Sequence, residues 1–468
     1  MGRSAFLCFS LLLITAGAVL LSLNGCSGKS SSSIVPGQIK HIIVVFQENR
    51  TPDNLFHDPV LMAKGADIAT TGLNSSNQTI TVAPTSLGVD YDLNHGHSGF
   101  VAMYDNGKMD GADRVTVSCA KGATDCPPPN PQFMYVQASD VSPYFQMAEQ
   151  YTFGDRMFQT NQGPSFPAHQ FIISGTSAPT ATSNLFVAEN GGGVANAGNN
   201  TGCTSPPAES VYLIDPSGNE SSKMYPCTEH PALTDELDAK SISWRYYAPS
   251  AGSLWTSPNA ILHICGPNAT PPNATACTSS DWVNNVVLDD TRILTDIVNG
   301  NLAQVSWVIP NGVNSDHAGS TTTTGGPSWV ASIVNAIGNS SYWADTAIVV
   351  TWDDWGGWYD HVAPKVISDG TSWGSGYVYG FRVPLLVISP YAKAGHISHV
   401  DHDFGSILNL IEHTFGLSSL GYADAYADDL SDCFDFTQTP IVFKTINAPL
   451  GADYFLNDRS PKTDPDDE

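Results

Sequence analysis

Four short apolar runs, rich in β-branched residues and each halting at polar residues, constrain this chain most. They are His41-Ile42-Ile43-Val44-Val45-Phe46, Val305-Ser306-Trp307-Val308-Ile309, Thr346-Ala347-Ile348-Val349-Val350-Thr351-Trp352 and Val383-Pro384-Leu385-Leu386-Val387-Ile388. Near-continuous apolar runs of this length are the pattern of parallel strands buried on both faces. Apolar residues at helical spacing fall between them, over Trp282 to Val298, Ser328 to Ile337 and Ser406 to Phe415. The alternation predicts an α/β fold, a mostly parallel sheet flanked by helices, in which ligands bind beyond the carboxyl ends of the strands. Three runs lead into chemistry: Gln47-Glu48-Asn49-Arg50, Ser315-Asp316-His317 and Asp353-Asp354-Trp355-Gly356-Gly357. The fourth ends at Ser389-Pro390.

Long stretches, 60–140 and 178–280, are rich in Gly, Pro, Ser, Thr and Asn without sustained periodicity, and predict loops and caps over one site within a single domain, 39–456. The polar, acidic segment 457–468 predicts a disordered tail. At the other end, Arg3, the apolar run Ala5 to Leu23 and then Leu23-Asn24-Gly25-Cys26 follow the grammar of a secretory signal. The last four residues resemble a bacterial lipobox. The expectation is a signal peptide of lipoprotein type over 1–26, a linker over 27–38, and a domain outside the cytosol: periplasmic, outer-membrane-anchored or secreted. A retained membrane anchor is the alternative, because the run is close to spanning length. Cysteines agree with export. Cys119 with Cys126, Cys203 with Cys227, and Cys265 with Cys277 are close pairs without metal-site spacing, which predicts disulfides and leaves Cys433 as a buried thiol. A formal charge of −26 argues against nucleic acid or an anionic membrane surface as partner, so membrane contact is expected only through the N-terminal lipid.

Glu48-Asn49 and Asp353-Asp354 place paired oxygen-bearing side chains at strand ends, where they suit one hard divalent ion, Ca²⁺, Mg²⁺ or Mn²⁺, more than Zn²⁺. Either pair alone also reads as an ordinary acidic turn. Ser165, in Gly163-Pro164-Ser165-Phe166-Pro167, follows a strand pattern over Thr152 to Phe158 and fits a helix N-cap with Pro167 in the first turn. The same position suits a nucleophile, since open N–H groups at a helix start favour a phosphoryl group and contact with a cation activates a hydroxyl. His95, His317 and His361 each have an Asp near them in sequence, Asp92, Asp316 and Asp360, that could orient them for proton transfer or join them on a metal. His396, His399 and His402 read as solvated loop histidines.

The blocks Gln47-Glu48-Asn49-Arg50 with Asp53 and Phe56, Asp92…His95 with Lys108-Met109-Asp110-Gly111, Gly163-Pro164-Ser165 with Pro167, Ser315-Asp316-His317, Thr351-Trp352-Asp353-Asp354 with Gly356-Gly357 and Tyr359-Asp360-His361, and Arg382-Val383-Pro384 with Ser389-Pro390 resemble, in order, the bacterial phosphoesterase family of non-haemolytic phospholipases C and certain acid phosphatases. The resemblance covers about Ile39 to Phe436. It implies an alkaline-phosphatase-like fold with long loop insertions and phosphoryl transfer assisted by one divalent ion. Glu48, Asn49, Ser165, Asp353 and Asp354 match the family's metal ligands, and Ser165 its nucleophile. His95, Asp316 and His317 match positions around the phosphate and leaving group, with Asp316 holding a histidine that protonates the leaving alcohol. His361 matches a supporting residue.

Asp354 stands where many phospholipase members have Glu, Phe404 replaces a family histidine, and the chain ends soon after Phe436. These departures favour a phosphomonoesterase over a phospholipase C acting on phosphatidylcholine-type lipids. The partner in either case is a phosphate-ester small molecule or a phospholipid headgroup. A non-catalytic surface binding protein is the remaining alternative, and Trp255, Tyr246 and Trp373 could face a choline-like cation or simply pack.

Overall fold

The computed structural model describes residue 34 and residues 37–192, 201–365, 379–460 and 462. The expected signal peptide, most of the linker, Trp373 and most of the expected acidic tail lie outside the described residues.

Nine strands form the main sheet among the described residues. In chain order they are β1 (His41–Gln47), β2 (Thr152–Phe158), β3 (Trp244–Tyr247), β4 (Val286–Val287), β5 (Val305–Val308), β6 (Thr346–Trp352), β7 (Arg382–Ile388), β8 (His396–Ser398) and β9 (His402–Asp403). Their spatial order is β4-β3-β5-β1-β6-β7-β2-β8, with β9 also on β2. Pairing is parallel throughout except at β7, which runs against both β6 and β2. The fourth run is therefore a buried strand of the opposite sense. Its Ser389-Pro390 end leaves the sheet at the far edge, and its first residue, Arg382, sits at the edge where the other strands finish. Continuous burial explains the misreading: β7 is buried along its whole length, as β6 is and β1 almost is, so hydropathy carries no direction.

Ile42, Val44, Phe46, Trp307, Val349 and Trp352 are fully buried in this sheet's core, and each such side chain contributes about 1.5–3 kcal/mol of burial free energy. The described helices include α1 (His97–Tyr104), α2 (Ala138–Gln150), α3 (Ser165–Ser174), α4 (Ser280–Asn285), α5 (Arg292–Val298), α6 (Gly325–Gly338) and α7 (Phe404–Phe415). The helix expected over Trp282 to Val298 is broken into α4, β4 and α5. Val286 and Val287 find ladder partners in Tyr246 and Tyr247, and Asp289 bonds the Thr291 N–H to begin a new turn. Val283 and Val298 consequently point to solvent. α7 starts at Phe404, two residues before the expected Ser406, because Asp403 caps the Ser406 N–H and Ser406 returns a bond to the Asp403 backbone.

The first insertion is more than loop. It carries α1 and a satellite core of Leu93, Phe100, Met103 and Phe133 packed on Trp355 and Trp358. Because those tryptophans directly follow Asp353-Asp354, the insertion is fastened to the segment that bears the acidic pair. All three expected disulfides form, and Cys433 is a buried thiol whose pKa burial drives up. Among the described residues no helix is long and apolar enough to cross a membrane.

Candidate active site

Strand register brings the polar clusters together. Gln47 pairs with Trp352, so Glu48 and Asp353 leave adjacent strands side by side, and the Asp353 N–H donates to the Gln47 carbonyl at 2.9 Å. Glu48 N–H in turn donates to Ser315 O at 2.8 Å, which binds the end of β1 to the loop after β5. Asn49 turns the chain with φ +66°, a conformation that asparagine tolerates better than most residues. Gly356 lets this turn close. A Cβ there would lie 2.1 Å from the Asn49 carbonyl oxygen, and its own φ is +62°.

Ser165 arrives from β2 through the loop 159–164. Pro164 occupies the N-cap position and Ser165 is the first residue of α3, so its hydroxyl does not cap the helix. It donates instead to Glu48 Oε2 at 3.2 Å, and it lies 3.4 Å from Asp354 Oδ2. The expected array of open N–H groups is smaller than its position suggests. Phe166 N–H is taken by Asn190 Oδ1 at 2.9 Å, and Pro167 has none. Asp354 is fixed by accepting the Gly356 N–H at 2.7 Å.

On the other side of Asn49 stand two histidines with ring centroids 5.4 Å apart, His95 and His317. Neither is oriented by its neighbouring aspartate. His95 Nδ1 faces the Leu93 carbonyl at 2.8 Å and His317 Nδ1 the Ala318 carbonyl at 2.6 Å. Asp316, at φ +75°, turns away and accepts from Tyr144 Oη at 2.6 Å and Trp352 Nε1 at 3.1 Å. Burial pushes its carboxyl up to about 6, against the opposing pull of those bonds and of Arg50. Asp316 thus anchors the turn that carries His317 and does not touch the imidazole.

The Asn49 amide tests whether a cation fits. As placed, its oxygen lies 3.1 Å from Glu48 Oε2 and 2.9 Å from Asp353 Oδ1, among acceptors only. Turned over, its nitrogen donates to both carboxylates and its oxygen faces His95 and His317 Nε2. With both Nδ1–H groups donating to carbonyls, neutral rings present Nε2 as an acceptor, which holds the amide nitrogen and leaves the oxygen among the carboxylates. Asp353 Oδ2 is also buried without a hydrogen-bond partner. Ligands about 2.1 Å from one ion at right angles stand about 3.0 Å apart, so Glu48, Asn49, Asp353, Asp354 and Ser165 fit the donor set of a divalent cation.

His361 belongs to a different cluster. Its Nδ1 meets Asp53 at 2.7 Å and its Nε2 meets Asp67 at 3.0 Å, beside Arg382 and Asp360. Burial disfavours its charge, yet the hydrogen bond and charge of Asp53 outweigh this and hold the imidazolium up to about 9. Because the folded value exceeds the ordinary 6.5, the stabilisation is fully present below pH 6.5 and is lost as pH rises through about 9. Unfolding free energy, measured by denaturant titration at several pH values, is expected to fall over that window. His361→Gln should flatten the fall, and an unchanged slope in that variant would refute the assignment.

His396, His399 and His402 are not merely solvated. His402 is buried, bonded to Ser398 Oγ at 3.0 Å and Asp428 at 2.8 Å, while His396 pairs with Asp432 and His399 with Asp155. Phe404 packs edge-on against Phe46 at 5.2 Å. Tyr246 and Trp255 are core residues joined by a 2.7 Å bond from Tyr246 Oη to the Trp255 carbonyl. The sequence reading missed His169. One turn after Ser165 on α3, it is fully buried, with Nε2 3.1 Å from Glu48 Oε1. The i, i+4 spacing from Ser165 was the available signal.

Glu48, Asn49, His95, Ser165, Asp353 and Asp354 are all buried. Two clefts share Asn94, the residue before His95, and neither is lined by these six side chains. One of about 510 Å³ runs past Ala318 and Gly319, and one of about 460 Å³ past Pro164, Glu189 and Asn190.

The sequence profile of the phosphoesterase family matches residues 39–418. The non-hemolytic phospholipase C of Pseudomonas aeruginosa is 26% identical over 332 residues, covering 64% of this chain and 43% of that protein. The hemolytic phospholipase C of the same organism is 23% identical over 464 residues, covering 85% of this chain and 56% of that protein. The chain thus spans about half the length of these relatives. Among solved structures, a protein in the alkaline phosphatase superfamily from Vibrio parahaemolyticus aligns with a TM-score of 0.35 and 10% identity, covering 84% of this chain and 71% of that one. The chain belongs to the phosphoesterase family.

Proposed function

We propose that this chain hydrolyses phosphodiesters of the phospholipase C kind through a covalent phosphoryl ester at Ser165 that keeps the substrate's second ester group. The observation that carries this reading is the Ser165 hydroxyl held 3.2 Å from Glu48 and 3.4 Å from Asp354, beside an Asn49 amide that also reaches His95 and His317. In the first step Ser165 Oγ forms a bond to phosphorus as the bond to the leaving alcohol breaks. The hydroxyl proton passes to the carboxylate it already faces. His95 or His317, protonated at Nε2 once the leaving-group oxygen takes the place of the Asn49 amide there, gives that proton to the departing alkoxide. Water then attacks the phosphorus of this serine ester, the same imidazole takes the water's proton, and Ser165 Oγ leaves as the carboxylate returns its proton. A divalent ion held by Glu48, Asn49, Ser165, Asp353 and Asp354 would supply electrostatic stabilisation of the oxyanions. Burial of every one of these groups keeps bulk water away.

The relatives' names favour the diester over the monoester expected from the Asp353-Asp354 pair. That pair still supports a phosphomonoesterase as the second reading. Three disulfides support an oxidising compartment outside the cytosol, and the lipobox-like segment at Cys26 supports a lipid anchor there. Parallel assays with p-nitrophenyl phosphorylcholine and p-nitrophenyl phosphate, with and without chelator, test the proposal. The choline diester is expected to turn over at least about tenfold faster, with activity lost in chelator. A preference for the monoester would establish the second reading. No turnover of either ester by metal-replete protein would leave a binding protein.

A further inference from the structure

We propose that His169 is a nitrogen ligand of the cation and makes the centre a mixed nitrogen–oxygen site, selective for Zn²⁺ or Fe²⁺ over Ca²⁺ and Mg²⁺. This deepens the hydrolase reading and rests on it only for the presence of a cation. His169 is fully buried and its Nε2 faces both strand-end carboxylates, 3.1 Å from Glu48 Oε1 and 3.9 Å from Asp353 Oδ2. The three residues have ligand atoms within 4.8 Å of one another. A hydrogen bond from His169 to Glu48 alone leaves the buried Asp353 Oδ2 without a partner. An ion between the three satisfies that oxygen, the Glu48 carboxylate and the imidazole together. The ring is held for this role: Phe46 packs edge-on at a centroid distance of 4.8 Å, and Trp255 stacks over it at 6.2 Å. Because His169 is one turn after Ser165 on α3, the helix that presents the hydroxyl also presents the imidazole to the same carboxylates. All-oxygen sites suit Ca²⁺ and Mg²⁺, whereas an imidazole shifts preference towards Zn²⁺ and Fe²⁺.

The test is metal binding by full-length protein stripped of metal. Wild type equilibrated with equimolar Zn²⁺, Ca²⁺ and Mg²⁺, then desalted, is expected to retain Zn²⁺ by elemental analysis. His169→Gln is expected to lose Zn²⁺ affinity by at least about 10–100-fold with Ca²⁺ affinity little changed, since loss of a partner that merely orients a ligand already costs that much. Visible absorption of the Co²⁺-loaded protein should shift between the two. An unchanged Zn²⁺ to Ca²⁺ ratio and an unchanged Co²⁺ spectrum in the variant would overturn the assignment. If His169→Gln does not fold, X-ray absorption of Zn²⁺-loaded wild type decides. Imidazole scattering supports the ligand, and an oxygen-only shell overturns it. Metal selectivity is read without turnover, so a protein that selects Zn²⁺ through His169 yet hydrolyses no ester refutes the hydrolase reading alone.

Discussion

Replacing Ser165 with alanine is expected to abolish the phosphoenzyme and lower kcat by roughly four to six orders of magnitude, as for other covalent nucleophiles. The reason is local. Ser165 is the hydroxyl bonded to Glu48 and within reach of Asp354, and it is delivered there by the rigid start of a buried helix. The fold should tolerate the change. Pro164, not Ser165, holds the N-cap position, so no helix amide loses a partner, and the loss in stability should stay below about 1 kcal/mol. The measurement is acid-quenched intact-mass spectrometry during turnover, alongside kcat. With p-nitrophenyl phosphorylcholine, wild type should carry one added phosphorylcholine group, located at Ser165 after digestion, and the variant none. A Ser165→Ala enzyme that keeps more than about a tenth of wild-type kcat would exclude the phosphoserine route.

Much of this site is legible in the sequence because the sheet is parallel at its centre. In parallel strands every carboxyl end points the same way, so Glu48, Ser315 and Asp353, each placed just after an apolar run, had to meet at one edge. Ser165 is legible for the same reason, following β2 on that edge. Direction is what hydropathy does not carry, and β7 shows it: Val383 to Ile388 is as apolar as β1 yet runs the other way, which brings Arg382 to the site's edge and sends Ser389 away.

The partners of the charged groups were less legible. An aspartate next to a histidine in sequence suggests a pair, yet the chain turns at Asp316 with φ +75°, so the two side chains diverge. Asp316 reaches Tyr144, which is 172 residues away in sequence, and His361 reaches Asp53, 308 residues away. Such distances are set by how insertions fold back, and the insertions have no periodicity to reveal it. His169 was hidden by its company. It lies in an apolar helical segment, where an isolated histidine is the residue least distinguishable from packing, and only the spacing from Ser165 marked it.

Arg382→Met is expected to destabilise the protein by about 3–5 kcal/mol, the range for removing one member of a buried ion pair. Arg382 is fully buried at the first position of β7 and grips Asp360 through both Nε and Nη2, each at 2.9 Å. Nη2 also reaches Asp53 at 3.2 Å, and Nη1 donates to the carbonyls of Asp67 and Asp155 at 2.9 and 2.7 Å. Methionine fills the space but removes the Nη1 donor from two carbonyls and the countercharge of Asp360, while Asp53 keeps His361 and the Ala69 N–H. Lysine should rescue little, because a single ammonium cannot reproduce the planar fork that serves four partners. Adding Asp360→Asn to Arg382→Met should return part of the loss, since the cost is mainly an uncompensated charge and not a missing contact. Urea midpoints of the single and double variants at pH 6, where His361 remains protonated, provide the measurement. A cost below about 1 kcal/mol for Arg382→Met, or a double variant less stable than the single, would show that the charge network does not hold this edge of the sheet together.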